Sequence, residues 1–114
     1  MMGDPRTLRP PIAAAYAETQ ATVLEGGIVD RSLKQLCFRA LAGEDVAPAD
    51  ERERAALDWA YAIEWDADKA DDDMWARLHA HFSDPELVEL GYAIAFQLGQ
   101  RHWERTLTSP SPRT

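Results

Sequence analysis

The sequence predicts an all-α fold, a compact bundle of about five helices. Three observations predict it. Apolar residues recur at helical spacing in five segments. Each segment is bounded by a capping residue, a glycine or a proline. No stretch alternates apolar and polar residues with period two for long, so no sheet is expected.

The first helix is expected over residues 11–25. Pro11 opens it, where a missing N–H costs nothing, and Gly26-Gly27 ends it. The second starts from Asp30, a good N-cap, and runs to about Ala42. Leu33, Leu36, Cys37, Ala40 and Leu41 keep helical spacing, and Gly43 closes the segment. The third, residues 50–65, has the clearest start. Asp50-Glu51-Arg52-Glu53 resembles a capping box, with acids where the helix dipole favours them. The fourth spans residues 71–82. The fifth, residues 83–107, opens with a second box, Ser83-Asp84-Pro85-Glu86. Residues 1–10, with Pro5 and Pro10, read as a flexible arm. Residues 108–114 (TSPSPRT) read as a disordered tail. Residues 11–107 then form one domain.

The net charge of −8 argues against nucleic acid as a partner. Phosphate binding needs a concentrated basic face, whereas Lys34 and Lys69 are the only lysines and the arginines are scattered among acids. An anionic membrane surface is disfavoured for the same reason. No apolar run reaches the roughly 20 residues that span a bilayer. The N-terminus lacks the apolar core of a signal peptide, so a cytoplasmic location is expected.

Two segments are apolar on nearly every side: Ala55–Ile63, whose one charge is Asp58, and Leu90–Leu98, whose strongly polar side chain is Gln97. A helix apolar all round must be covered all round. Gly91, Ala95 and Gly99 also form a smooth stripe at four-residue steps, packed either within the chain or against another subunit. A homo-oligomer through helices 50–65 and 83–107 is therefore expected.

Candidate chemistry is thin. Cys37 is the only cysteine, so no disulfide closes within the chain and no zinc site rests on paired thiolates. It lies on an apolar face, where cysteine more often acts as a small core hydrophobe than as a nucleophile. Glu64, between Ile63 and Trp65, becomes an acid–base candidate if buried, though an exposed glutamate is the commoner case. His102 is a site candidate against the blander role of a cation near a helix C-terminus. His79 and His81 are two apart on a helix and cannot chelate one metal. Asp66, Asp68, Asp71, Asp72 and Asp73 lack the glycine and glutamate register of a calcium loop, which leaves helix capping. Trp59, Trp65, Trp75 and Trp103 could line an aromatic pocket but are more often core and interface groups. No cofactor and no metal is expected.

Residues Glu51–Leu107 resemble the carboxymuconolactone decarboxylase-like family, which includes the alkylhydroperoxidase D-like proteins. The likeness rests on Arg52-Glu53-Arg54-Ala55-Ala56-Leu57 with Trp59-Ala60. It continues in Phe82-Ser83-Asp84-Pro85-Glu86-Leu87-Val88-Glu89-Leu90, then Ile94-Ala95 and Arg101. Residues Gly27–Ala40 (GIVDRSLKQLCFRA) look like the family's first core helices. The resemblance implies an all-helical fold assembled as trimers or hexamers. It also implies one of two chemistries: a C-x-x-C pair with a nearby His and a relay Glu, or a lactone decarboxylation without the dithiol. Here only Leu41–Asp50 fills the place where the C-x-x-C helix would lie, and Gln35 stands at the relay position. An amide cannot relay a proton near neutral pH. The leading expectation is an oligomer without dithiol peroxidase or reductase chemistry that binds a small organic ligand between subunits. The alternatives are an active family enzyme (a cofactor-independent lactone decarboxylase or an alkylhydroperoxidase-type antioxidant) and a non-catalytic helical interaction module.

Overall fold

A computed structural model describes residues 10–108. Among them are five α-helices and one 3-10 turn, with no strand. The helices are α1 (Pro10–Glu25), α2 (Arg31–Leu41), α3 (Glu51–Trp65), α4 (Asp72–His81) and α5 (Asp84–Thr108); the turn is Ala67–Lys69. The expected arm and tail lie outside the described residues, except that Pro10 begins α1 and Thr108 ends α5.

The helix ends follow local chemistry. Asp30 accepts a hydrogen bond from the Leu33 N–H at the start of α2. At the other end Gly43 takes φ +93°, the Gly43 N–H reaches the Ala40 carbonyl, and the Glu44 N–H reaches the Arg39 carbonyl. That is a Schellman closure, which favours glycine at the left-handed position. Asp50 caps α3 through the Glu53 N–H, but Glu53 returns to the Ala49 N–H, one residue earlier than a capping box requires. The Ser83 box forms as expected: the Ser83 N–H donates to Glu86, and the Glu86 N–H donates to the Ser83 hydroxyl. Asp66 and Asp71 are the caps of the 3-10 turn and of α4, and Asp72 and Asp73 occupy the first turn of α4. The acidic cluster is therefore a capping device.

The core gathers around α3, which packs against α2, α4 and α5. Leu33, Cys37, Ala56, Ala60, Leu78, Leu90 and Ile94 are fully buried. Each such Leu or Ile contributes about 1.5–3 kcal/mol relative to exposure. Ion pairs tie the periphery: Arg77 to Asp58 joins α4 to α3, and Arg52 to Asp30 joins α3 to the cap of α2. Arg52 also lies over the Phe82 ring, 4.9 Å from its centre.

Within Ala55–Ile63 one chain buries most positions, while Tyr61 stays 38% exposed. Ala55, Ala56, Leu57, Trp59, Ala60 and Ala62 are all buried within one chain. Alanine is small, so the three neighbouring helices approach α3 closely along that side. On α5 the burial is one-sided: Leu90, Ala93, Ile94 and Leu98 are covered, whereas Tyr92 and Ala95 are exposed. The small-residue stripe also divides. A Cβ on Gly91 would stand 2.9 Å from Cη2 of Trp59, but one on Gly99 would meet nothing within 4 Å. Gly91 thus serves packing inside the chain, and Gly99 faces open space.

Candidate functional site

The apolar stripe of α2 carries one charged residue inward. Lys34 is 1% exposed among Leu33, Cys37, Ala40 and Leu41. A buried ammonium must be paired. Its Nζ donates to the Gly26 carbonyl at 2.8 Å and lies 3.0 Å from Oε2 of Glu89 on α5. The same carboxylate accepts the Ile28 N–H at 2.8 Å and the Val29 N–H at 2.7 Å. Gly27 makes this possible. Its φ is +87°, and a Cβ there would overlap the Glu89 carboxylate. Burial alone pushes the Glu89 carboxyl up, but the two backbone donors and the ammonium outweigh it, and the net shift is downward. Glu89 is therefore a fixed anion, not a proton acceptor at neutral pH.

Two open, mostly apolar clefts flank this part of α5. The smaller, about 330 Å³, is lined by Thr22 and Val23 of α1, Gly26, Lys34, Glu89 and Ala93, among others. The larger, about 500 Å³, is lined by Trp59, Trp75, His79, Asp84, Leu87 and Gly91, among others. Val88 and Tyr92, one turn apart and 73% and 66% exposed, line both and form the ridge between them. Trp59 and Trp75 meet edge to face, with ring centres 5.6 Å apart. At the rim, His79 Nε2 is 2.9 Å from Asp84 Oδ1 and Nδ1 is 2.9 Å from the Trp75 carbonyl. Both ring nitrogens face acceptors, which only the imidazolium satisfies. The Asp84 bond, followed by the Trp75 bond, raises the His79 pKa. The two acceptors thus favour the protonated ring of His79.

Apart from Trp59 and Trp75, the residues singled out from sequence lie elsewhere. Cys37 is sealed in the core; burial, with a smaller push from Glu53, raises its thiol to about 12. Glu64 is half-buried near the end of α3, His102 is exposed near the end of α5, and neither lines these clefts. Gln35 is exposed on α2. Of the four tryptophans, Trp59 and Trp75 share the larger cleft, Trp65 is 74% exposed, and Trp103 is partly exposed near the end of α5. Lys34 and Glu89 were not singled out. A lysine on an apolar stripe, three residues before Cys37 and seven before Leu41, was the available signal, because it demands a buried counter-charge.

Among the described residues, no three His, Cys, Asp or Glu side chains gather where they could hold a metal ion. No helix there is long and apolar enough to cross a membrane. No protein-family model matches the chain, and neither a curated protein nor a solved structure matches it.

Proposed function

We propose that the chain is a shortened carboxymuconolactone decarboxylase-like protein that works without a dithiol. In this reading it is a cytoplasmic homo-oligomer that binds small, largely apolar organic molecules beside α5. The observation that carries the reading is the pair of clefts on either side of Val88 and Tyr92. Their sizes fall in the range of small-molecule sites, and mostly apolar walls with a few placed polar groups are typical of such sites. The buried Cys37 argues against a thiol reaction, since a thiolate is the reactive form and this thiol is held up at about 12.

The oligomer rests on α5. Its outer face presents Val88 and Tyr92 in succession, with Ala95 and Gly99 continuing along it. The helix is also charge-asymmetric: Asp84 and Glu86 lie at its start, and Arg101, His102 and Arg105, with one acid, Glu104, at its end. Two copies crossing antiparallel would oppose unlike charges.

Tryptophan fluorescence tests the ligand reading, because Trp59 and Trp75 lie in the larger cleft. Saturable quenching by small aromatic and aliphatic compounds is expected, alongside hydroperoxide consumption no faster than background. Peroxide turnover lost in Cys37→Ser would reinstate the redox enzyme. Absence of any small-molecule binding would leave the ridge to a helical interaction module.

A further inference from the structure

We infer that α5 docks on α5 of a second copy in one antiparallel register, with the Val88–Tyr92 ridge of each chain seated on the small residues Ala95 and Gly99 of the other. The inference deepens the homo-oligomer reading above and rests on it.

Between Asp84 and His102 the exposed residues of α5 are Pro85, Val88, Tyr92, Ala95 and Gly99. None of them is charged, although charged residues make up 28% of the chain. A helix face that stays in water is normally polar or charged. From Val88 onward the spacing is four, three, four, which keeps these residues on one line and is the seam of a left-handed helix pair. Size divides that line in two. Val88 and Tyr92 stand out, 73% and 66% exposed, whereas Ala95 offers a single methyl group and a Cβ on Gly99 would meet nothing within 4 Å.

The occupant is a second copy because the line complements itself. In an antiparallel pair centred between Ala93 and Ile94, Val88 lies opposite the partner's Gly99 and Tyr92 opposite the partner's Ala95. One centre satisfies both pairs, and the two-fold axis repeats them. Small residues let the two helices approach closely, so each large side chain is covered by the facing backbone. The same register sets Asp84 beside the partner's His102, a carboxylate against an imidazole. A parallel pair would stack Tyr92 on the partner's Tyr92, leave a gap at Gly99 and oppose Asp84 to the partner's Asp84. Sliding the antiparallel pair by one turn sets Val88 against the partner's Trp103, or Tyr92 against the partner's Tyr92.

Cysteine cross-linking of the full chain tests the register. Val88→Cys and Gly99→Cys are made separately, both at exposed positions, and are oxidised alone and as an equal mixture. Cys37 is sealed in the core, and the wild-type chain is the control for it. The mixture is expected to give about tenfold more covalent dimer than either variant alone. A disulfide needs Cα atoms within about 7 Å, and in this register the two copies of residue 88 stand about 16 Å apart along the helix axis. Gly99→Leu puts a bulky side chain where the partner's Val88 sits. It should weaken self-association about tenfold in sedimentation equilibrium and leave the melting temperature of the fold unlowered. Covalent dimer from Val88→Cys alone marks a parallel pair and overturns the inference, as does unchanged self-association of Gly99→Leu. Oligomers that form without the mixed cross-link overturn it while the homo-oligomer reading stands. A wild-type chain that stays monomeric at about 50 μM removes both.

Discussion

A carboxylate that receives two backbone N–H groups and an ammonium cannot become an amide without leaving a charge behind. In Glu89→Gln the Lys34 ammonium stays buried without its counter-ion. Breaking such a pair from one side costs roughly 3 kcal/mol, which urea unfolding would register. The pH dependence has a definite sign. The Glu89 carboxyl is lowered from 4.5 in the folded chain. Its contribution is therefore present above pH 4.5 and is lost as pH falls through the folded value. Stability of Glu89→Gln should be flatter than wild type below pH 4.5. Some slope should remain, because Asp30 is also lowered: burial raises it, and bonds from Ser32, Arg52 and Leu33 outweigh that. Cys37 makes the opposite kind of prediction. A disulfide reagent should label the native chain roughly a hundredfold more slowly than the urea-unfolded chain, because labelling must wait for opening. Fast native labelling would contradict the buried thiol. At this scale the sequence revealed little of the site. Lys34 and Glu89 are 55 residues apart, counted as 89 minus 34, and no local rule connects them.

The helices themselves were largely legible, because capping is local. Asp30, Asp50, Asp71 and Ser83 each accept an N–H from three residues ahead, on Leu33, Glu53, Met74 and Glu86. The neighbour each face meets was not legible, since spacing defines a stripe and leaves its partner open. Gly91 and Gly99 share a stripe on α5, yet they should respond oppositely to the same substitution. Gly99→Ala adds a methyl group to open space in a helix interior, so it should raise stability by up to about 1 kcal/mol through helix propensity. Gly91→Ala gains the same propensity but sets its Cβ 2.9 Å from Cη2 of Trp59. That indole is buried and braced edge to face by Trp75, so it cannot swing aside freely. A net loss of roughly 1–2 kcal/mol is expected, as for other overpacked sites. Thermal unfolding of the two variants followed by circular dichroism checks the contrast. Equal melting temperatures would mean that the Gly91 contact is soft.

Taken as a whole, one chain covers most of the apolar side of α3, Tyr61 and Trp65 excepted, and leaves the outer face of α5 uncovered. Scattered exposed apolar groups are ordinary, but Val88 and Tyr92 are adjacent turns of one helix and flanked by two clefts. If α5 pairs with α5 of a second copy, Tyr92→Glu should dissociate the assembly at about 50 μM protein, a concentration chosen to lie above the micromolar affinities of ordinary interfaces. High salt should weaken it as well, because acidic starts oppose basic ends across the pair. Sedimentation equilibrium reads both effects, and the mass it returns decides more than whether copies associate. A helix crossing its own copy antiparallel, each presenting the same patch, makes an isologous contact, and such a contact closes with a two-fold axis. Two-fold pairing along α5 therefore builds a dimer, or a hexamer if a three-fold contact is added. It cannot by itself build a trimer, which needs unlike surfaces to meet head to tail. The family resemblance alone admits both trimer and hexamer. A trimer that persists in Tyr92→Glu would place the contact elsewhere, with Trp65 at the end of α3, 74% exposed, as the next surface to probe. An even-numbered assembly that Tyr92→Glu breaks would assign the contact to α5 and place both clefts at the seam between chains.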